Sequence, residues 1–317
     1  MIRPNGSSKR FRLEDGGRAA SPGPPPAMPT DPERSETVGG ILASAAARLA
    51  AAGIDEPKAE AELLLAALLA TDRGGLLVRR RDSLPPALAG RFAEWIGRRA
   101  AREPAQHLIG TQEFYGRPFR IDRRALVPRP ETETLIDAVL GLPARGAAGV
   151  VDLGTGSGCI AITLAAERPD WSILALERSG AALELARENV ALHGVERRVE
   201  LVQGELTEPP AAWNGRIDLV VSNPPYCSAG EWESLQPEVR DHDPREALVA
   251  GPTGYEAYAA LAPSARRLLV EGGRLGLEIG YGQEQELRRI VERAGFDSIE
   301  VRPDLRGIPR VLLARRR

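Results

Sequence analysis

From Thr37 to about Ile109, apolar residues recur at three- and four-residue spacing in ILASAAARLAAAGI, AEAELLLAALLA and ALAGRFAEWIGRRAA, the interval that lines one face of an α-helix. Breaks fall at Gly53, at Arg73-Gly74-Gly75 and at Leu84-Pro85-Pro86, so this stretch predicts a small domain of about four or five helices. The rhythm then shortens, and FYGRPFRI predicts two extended segments about a glycine turn. At Pro128-Arg129-Pro130 the prolines stop the extended chain. Pro130 suits a first helical position, and the early carboxylates Glu131 and Glu133 suit the positive end of a helix dipole; the helix continues through ETLIDAVLGL.

After Gly149 strands alternate with helical patterns such as AALELARENVALH. Strands are predicted at 150–153, 172–177, 199–203, 217–222 and 274–279, and the terminal IEVRPDL and RVLLARR read as two more, paired as a hairpin. This alternation predicts an α/β fold, a mostly parallel seven-stranded sheet covered on both faces, preceded by the α-helical domain and a β-hairpin linker. The expected boundaries are 1–35, 36–110, 111–130 and 131–317. Residues 1–35 contain SPGPPPAMPTDP and scattered charge with little apolar periodicity, and predict disorder. A translation start at Met28 is the alternative reading of that segment.

Charge narrows the choice of partner. With 42 basic and 44 acidic residues the formal net charge is -2, which favours small molecules or proteins over nucleic acid or an acidic membrane. Seven arginines fall between Arg79 and Arg102 against Asp82 and Glu94, but only Lys9 and Lys58 are lysines, so the chain is biased toward arginine and the cluster reads as a solvated helix face. Two cysteines, Cys159 and Cys227, read as buried thiols in a reducing compartment. His107, His193 and His242 have no partner at ligand spacing, so no metal is expected. No apolar run approaches a membrane span and no secretory core opens the chain, which predicts a cytoplasmic protein.

The chemistry concentrates in two places. In VVDLGTGSGCIAI, Gly154, Gly156 and Gly158, with Thr155 and Ser157 between them, join a buried strand to a helix opening at about Cys159. Glycine there lets backbone approach a ligand without a Cβ clash. NAD, FAD and S-adenosylmethionine sites all use such a turn, but the dinucleotide spacing would require glycine where Cys159 stands. The observed spacing, preceded by Asp152, is that of Rossmann-like methyltransferases. Glu177 ends the second strand, where it can accept from both ribose hydroxyls, and Glu205 after the third strand could accept from an adenine amino group.

The second place is Asn223-Pro224-Pro225-Tyr226, which the fourth strand delivers to the carboxyl edge of the sheet beside the first. A planar nitrogen becomes nucleophilic when its two N–H bonds are gripped by planar acceptors. Asn223 offers a side-chain carbonyl, and Pro224 offers a main-chain carbonyl restrained by the proline after it. These bonds strengthen as the nitrogen gains positive charge, and Tyr226 would pack flat on the acceptor group. Adenine, cytosine and glutamine all fit this chemistry.

EFYG (113–116), PRPETE (128–133), DLGTGSGCIAI (152–162) and SNPPY (222–226), in this order after a helical domain, resemble the HemK/PrmC family of release-factor glutamine methyltransferases. The similarity covers about residues 37–317, and PRPETE is its most discriminating part. The resemblance implies a Rossmann-like class I methyltransferase domain at 131–317 and S-adenosylmethionine as cofactor. It also implies class I peptide chain release factors as protein substrates, methylated at the side-chain N5 of the glutamine in Gly-Gly-Gln, with residues 36–110 as the substrate-recognition domain. It places Gly154 to Gly158, Glu177 and Asn223 against the cofactor, and Asn223, Pro224, Pro225 and Tyr226 around the glutamine. Where members commonly carry an acidic residue followed by an aromatic one, this chain has Glu205-Leu206, so the adenine side departs from the pattern. The alternatives are a DNA adenine-N6 methyltransferase, a ribosomal-protein glutamine methyltransferase, and a nucleotide-binding regulator without catalysis. Against DNA, residues 36–110 carry ten basic against nine acidic side chains, not the basic groove that reading duplex DNA needs.

Overall fold

The computed structural model describes residues 37–143 and 148–317, so the stretch expected to be disordered lies outside the described residues. The helical pattern forms α1 (Val38–Ala51), α2 (Pro57–Leu68), α3 (Arg73–Val78), α4 (Pro86–Ala100) and α5 (Ala105–Ile109). Leu49, Leu64, Leu65, Phe92 and Ile96 close the core between them. Prolines open α2 and α4, and the Thr37 hydroxyl accepts the Gly40 N–H at the start of α1. The break expected at Arg73-Gly74-Gly75 is instead the first turn of α3. Asp72 Oδ1 accepts the Gly75 N–H at 2.7 Å, a cap that outweighs the poor helix propensity of two glycines.

The hairpin consists of β1 (Thr111–Phe114) and β2 (Arg117–Arg120), antiparallel and in register from Thr111 opposite Arg120 to Phe114 opposite Arg117. Its turn sets Tyr115 and Gly116 at φ 52° and 70°, the positive values a two-residue hairpin turn needs. Tyr115 is held there by α6 (Pro130–Leu140): its N–H donates to Glu133 at 2.8 Å and its hydroxyl to Asp137 at 2.8 Å.

The main sheet runs in the order β10-β11-β9-β6-β3-β4-β5. Here β3 is Gly149–Leu153, β4 Ser172–Glu177, β5 Val199–Gln203, β6 Ile217–Ser222, β9 Leu269–Glu278, β10 Phe296–Pro303 and β11 Pro309–Arg316. The run from β9 to β5 is parallel, and the terminal hairpin adds β11 antiparallel to β9. Val150, Val151, Val220 and Val221 are fully buried, as central parallel strands require. Helices α6, α7 (Cys159–Glu167) and α8 (Gly180–His193) cover one face; α11 (Glu256–Leu268) and α12 (Glu284–Arg293) cover the other. Strand β9 begins five residues before its expected start, because Leu269 already pairs with Ile217 ahead of an irregularity at Gly272-Gly273 that reads in sequence as a turn.

Between β6 and α11 the chain forms a strap of short pieces with no long periodicity: β7 (Cys227–Ser228), α9 (Ala229–Glu233), α10 (Pro237–Arg240) and β8 (Val249–Gly251), with β7 paired to β8. The strap corrects the solvated reading of the arginine cluster at Arg99 and Arg102, while Arg79, Arg80, Arg81, Arg91 and Arg98 are exposed as that reading expects. Arg99 is only 6 % exposed and donates to Glu60 at 2.9 Å and to Glu238 of α10 at 3.0 Å. Arg102 joins Glu238 at 3.1 Å. The balancing carboxylate lies 139 residues from Arg99, so no local charge count finds it.

Candidate active site

The strand order reverses between β3 and β6, which brings the loop after one and Asn223 after the other to the same carboxyl edge. In the loop, Gly154 and Gly156 have φ of +77° and +56°, and a Cβ on either would meet nothing within 4 Å. It would project into open space, so these positions leave room for a ligand at the backbone. Gly158 serves packing, since a Cβ there would lie 2.9 Å from Ile162 Cδ1.

Glu177 is fixed by main-chain donors: Gly156 N–H to Oε2 at 2.9 Å and Ser179 N–H to Oε1 at 2.8 Å. Each oxygen keeps acceptor capacity beyond those bonds. Beneath the loop Asp152 is fully buried, and burial pushes its carboxyl up to about 7 against the opposing pull of the Thr155 hydroxyl, which donates to Oδ2 at 2.6 Å.

A cavity of about 610 Å³ runs from this loop to the strap. Gly154, Thr155, Gly156, Ser157, Glu177, Glu205, Asn223 and Pro225 border it; Gly158, Pro224 and Tyr226 do not. Glu205 is exposed, 3.9 Å from Arg178. Leu206, the noted departure from the family's usual aromatic, lines the wall and packs on the core.

Asn223 is oriented from behind. Its Nδ2 donates to Thr132 Oγ1 at 3.2 Å, and the Thr132 hydroxyl donates to Glu278 Oε2 at 2.6 Å. Glu278 is 1 % exposed, and burial pushes its carboxyl up to about 7 despite the Thr132 bond. Tyr226 is anchored on the far side: its carbonyl accepts from Gln283 Nε2 at 2.9 Å, and Gln283 Oε1 accepts the Gly280 N–H at 3.1 Å. Burial raises its phenol well above the usual range. Sequence reasoning missed Thr132, Glu278 and Gln283 as parts of this site. Thr132 was legible only as part of a helix start. Glu278 did leave a signal, a lone carboxylate inside the apolar strand pattern LGLEIG.

The strap closes the cavity and is tied down by charge. Arg129 donates to Asp243 Oδ2 at 2.5 Å; burial pushes the Asp243 carboxyl up to about 6 while Arg129 works against it. His107 of α5 lies 4.0 Å from the other oxygen, and burial holds its imidazole below the ordinary value. Among the described residues no cluster of side chains could hold a metal ion, and no helix is long and apolar enough to cross a membrane.

Two family models match the chain: PrmC N-terminal domain over residues 40–110 and Methyltransferase small domain over residues 132–236. The chain is similar to the release factor glutamine methyltransferase of Cereibacter sphaeroides, 47% identical over 274 residues that cover 86% of this chain and 96% of that protein. That of Nitratidesulfovibrio vulgaris is 42% identical over 282 residues, covering 88% and 95%. Among solved structures, a methyltransferase from Pyrococcus furiosus aligns with a TM-score of 0.49 at 19% identity, covering 69% of this chain and 98% of that one. With its relatives matched over nearly their whole length, the chain belongs to the HemK/PrmC family of release factor glutamine methyltransferases and is a methyltransferase enzyme.

Proposed function

We propose that this enzyme methylates N5 of the glutamine in the Gly-Gly-Gln motif of class I peptide chain release factors, a cytoplasmic protein substrate, with S-adenosylmethionine as methyl donor. The observation that carries the reading is the tethered amide of Asn223, whose Nδ2 is engaged by Thr132 so that Oδ1 is left to accept from a substrate N–H in the cavity.

The cavity fits the donor. Gly154 and Gly156 leave their ligand side open, Glu177 offers two held oxygens for ribose hydroxyls, and Leu206 gives an apolar wall beside Glu205 for the adenine. Thr155, Ser157 and Gly158 complete the loop that would hold it. When bound, S-adenosylmethionine supplies an electrophilic methyl group on a cationic sulfur. Asn223 Oδ1 and the Pro224 carbonyl then each accept one N–H of the glutamine amide, with Pro225 restraining that carbonyl. As the amide nitrogen takes the methyl group it gains positive charge, so both bonds tighten in the transition state. The methylated nitrogen is acidic and loses its proton without a strong base. Tyr226, whose main-chain carbonyl is held by Gln283, would pack on the glutamine from beyond the cavity wall.

In this reading residues 36–110 form the substrate-recognition domain, 111–130 the linker and 131–317 the catalytic domain. The test supplies radiolabelled S-adenosylmethionine with a release factor, its Gly-Gly-Ala variant and duplex DNA. Label is expected in the intact release factor alone; label in DNA alone would overturn the proposal in favour of an adenine acceptor.

A further inference from the structure

Asn223 can present either end of its amide to a substrate, and the two ends are opposite in character. A clamp that accepts N–H bonds needs Oδ1 facing the cavity; turned over, the same side chain would set its own donors against the substrate's donors. The neighbour of Asn223 decides between them. Thr132 Oγ1 is both the acceptor of Asn223 Nδ2, at 3.2 Å, and the donor to Glu278, at 2.6 Å. An ionised carboxylate only accepts, so the hydroxyl proton is committed to Glu278 and only acceptor capacity remains toward Asn223. Hydrogen-bond polarity set at one end of the chain therefore fixes the amide at the other.

Stability alone does not explain the carboxylate. Glu278 is 1 % exposed, and among the described residues no cation lies within ion-pair distance of it. The nearest arginines pair elsewhere, Arg129 with Asp243 and Arg310 with Asp304. Burying a carboxylate without a paired cation is costly, and an apolar residue would pack a parallel strand at less expense.

We propose that Thr132 and Glu278 are positioning residues that set which end of the Asn223 amide faces the substrate. The proposal rests on the clamp role of Asn223. The charged groups around Glu278 are Arg129 and Arg310, which favour its ionised form, and Glu131, which disfavours it; Tyr226, Tyr258 and Cys159 face it as neutral groups. Burial outweighs the arginines and pushes the carboxyl up to about 7. Once protonated, Glu278 can donate to Thr132, whose own proton then turns to Asn223 Oδ1 and draws it away from the substrate. Turnover therefore falls as pH drops through that value.

The experiment compares wild type with Thr132→Ser, Thr132→Val and Glu278→Gln, with rates divided by the number of cofactor-binding sites counted by calorimetry, so that unfolded protein does not enter. For Thr132→Val and Glu278→Gln, kcat on release factor is expected to fall about ten- to a hundredfold, with cofactor Kd within about threefold of wild type. Thr132→Ser keeps the hydroxyl and should stay within about threefold of wild type. The acidic limb of the wild-type kcat profile should be absent in Glu278→Gln. In the ligand-free protein, the Asn223 side-chain amide protons should be protected from exchange in wild type and Thr132→Ser and lose that protection in Thr132→Val. A kcat within about twofold of wild type in Thr132→Val and Glu278→Gln, or unchanged amide protection in Thr132→Val, would overturn the relay. A wild-type enzyme that labels no release factor would instead defeat the functional reading, and the amide exchange would then decide the relay by itself.

Discussion

The contact between α4 and the strap can be weighed directly. Arg99 lies 3.0 Å from Glu238, their side chains are 7% and 17% exposed, and the same guanidinium lies 2.9 Å from Glu60. At this separation and an effective dielectric of about 20, the attraction of one pair is roughly 5 kcal/mol. Desolvation of two largely buried groups takes back more than half, leaving a coupling of about 2 kcal/mol. Replacing Arg99 with Met strands two carboxylates near one another with only Arg102 to answer Glu238, and should cost about 3 kcal/mol. Adding Glu238→Gln removes one stranded charge and should restore about 1 to 2 kcal/mol of that loss. Urea titrations of the wild type, Arg99→Met, Glu238→Gln and the double variant, at matched slopes, give the cycle. Because Arg245 and Val249 of the strap border the cavity, Arg99→Met should also raise KM for the release factor more than it lowers kcat. Strict additivity, with a coupling below about 0.3 kcal/mol, would show that the buried pair contributes nothing and would sink the reasoning.

Asn223→Ala should slow turnover about a hundredfold or more while cofactor affinity changes little, read from single-turnover rates beside calorimetry. A rate near wild type would remove the clamp. Gly156→Ala places a Cβ in the cavity at φ +56° and should weaken cofactor binding about tenfold or more, with about 1 kcal/mol of added backbone strain. The Asp243 carboxyl is raised to about 6 in the fold, so the protonated form is favoured there. Its contribution to stability is therefore fullest below the unfolded value and declines as pH rises through the folded one. In wild type this group should lower stability by up to about 3 kcal/mol between about pH 4 and 6. Asp243→Asn should flatten that part of the Tm-against-pH curve, while Asp152 and Glu278, raised likewise to about 7, keep their share of the slope.

The parallel strands were legible to the residue at 172–177, 199–203 and 217–222, because a strand buried on both faces is a short apolar run with polar punctuation at each end. The pairing of the fourth strand with the first was also expected, and with it the arrival of Asn223 at the edge that carries the glycine loop; the full strand order was not. Short capped helices were less visible: α3 begins at the two glycines that read as a break, since a single side-chain cap at Asp72 decides it. The strap had no periodicity to read. Contacts that join distant segments were invisible in principle. Thr132 and Glu278 are 146 residues apart, Arg99 and Glu238 139, and only the sheet order and the closure of the strap bring them together.

PRPETE looked most like a label in the sequence, and its geometry gives three of its polar side chains separate tasks. Arg129 reaches the strap at Asp243, Thr132 reaches the clamp at Asn223 and the strand at Glu278, and Glu133 holds the hairpin turn at Tyr115. Pro130 starts the helix that spaces them, so residues three apart, Arg129 and Thr132, point toward the cavity from one side of its first turn. Replacing Thr132 would disturb the amide of Asn223 and leave the strap in place; replacing Arg129 would loosen the strap and also take away one of the two cations that favour ionised Glu278. Under the proposed function, the glycine loop and Asn-Pro-Pro-Tyr supply chemistry that any planar nitrogen could use. The hexapeptide connects that chemistry to the hairpin, the strap and, through the strap's Glu238, the helical bundle, which under the proposed function are the surfaces that would tell one substrate protein from another.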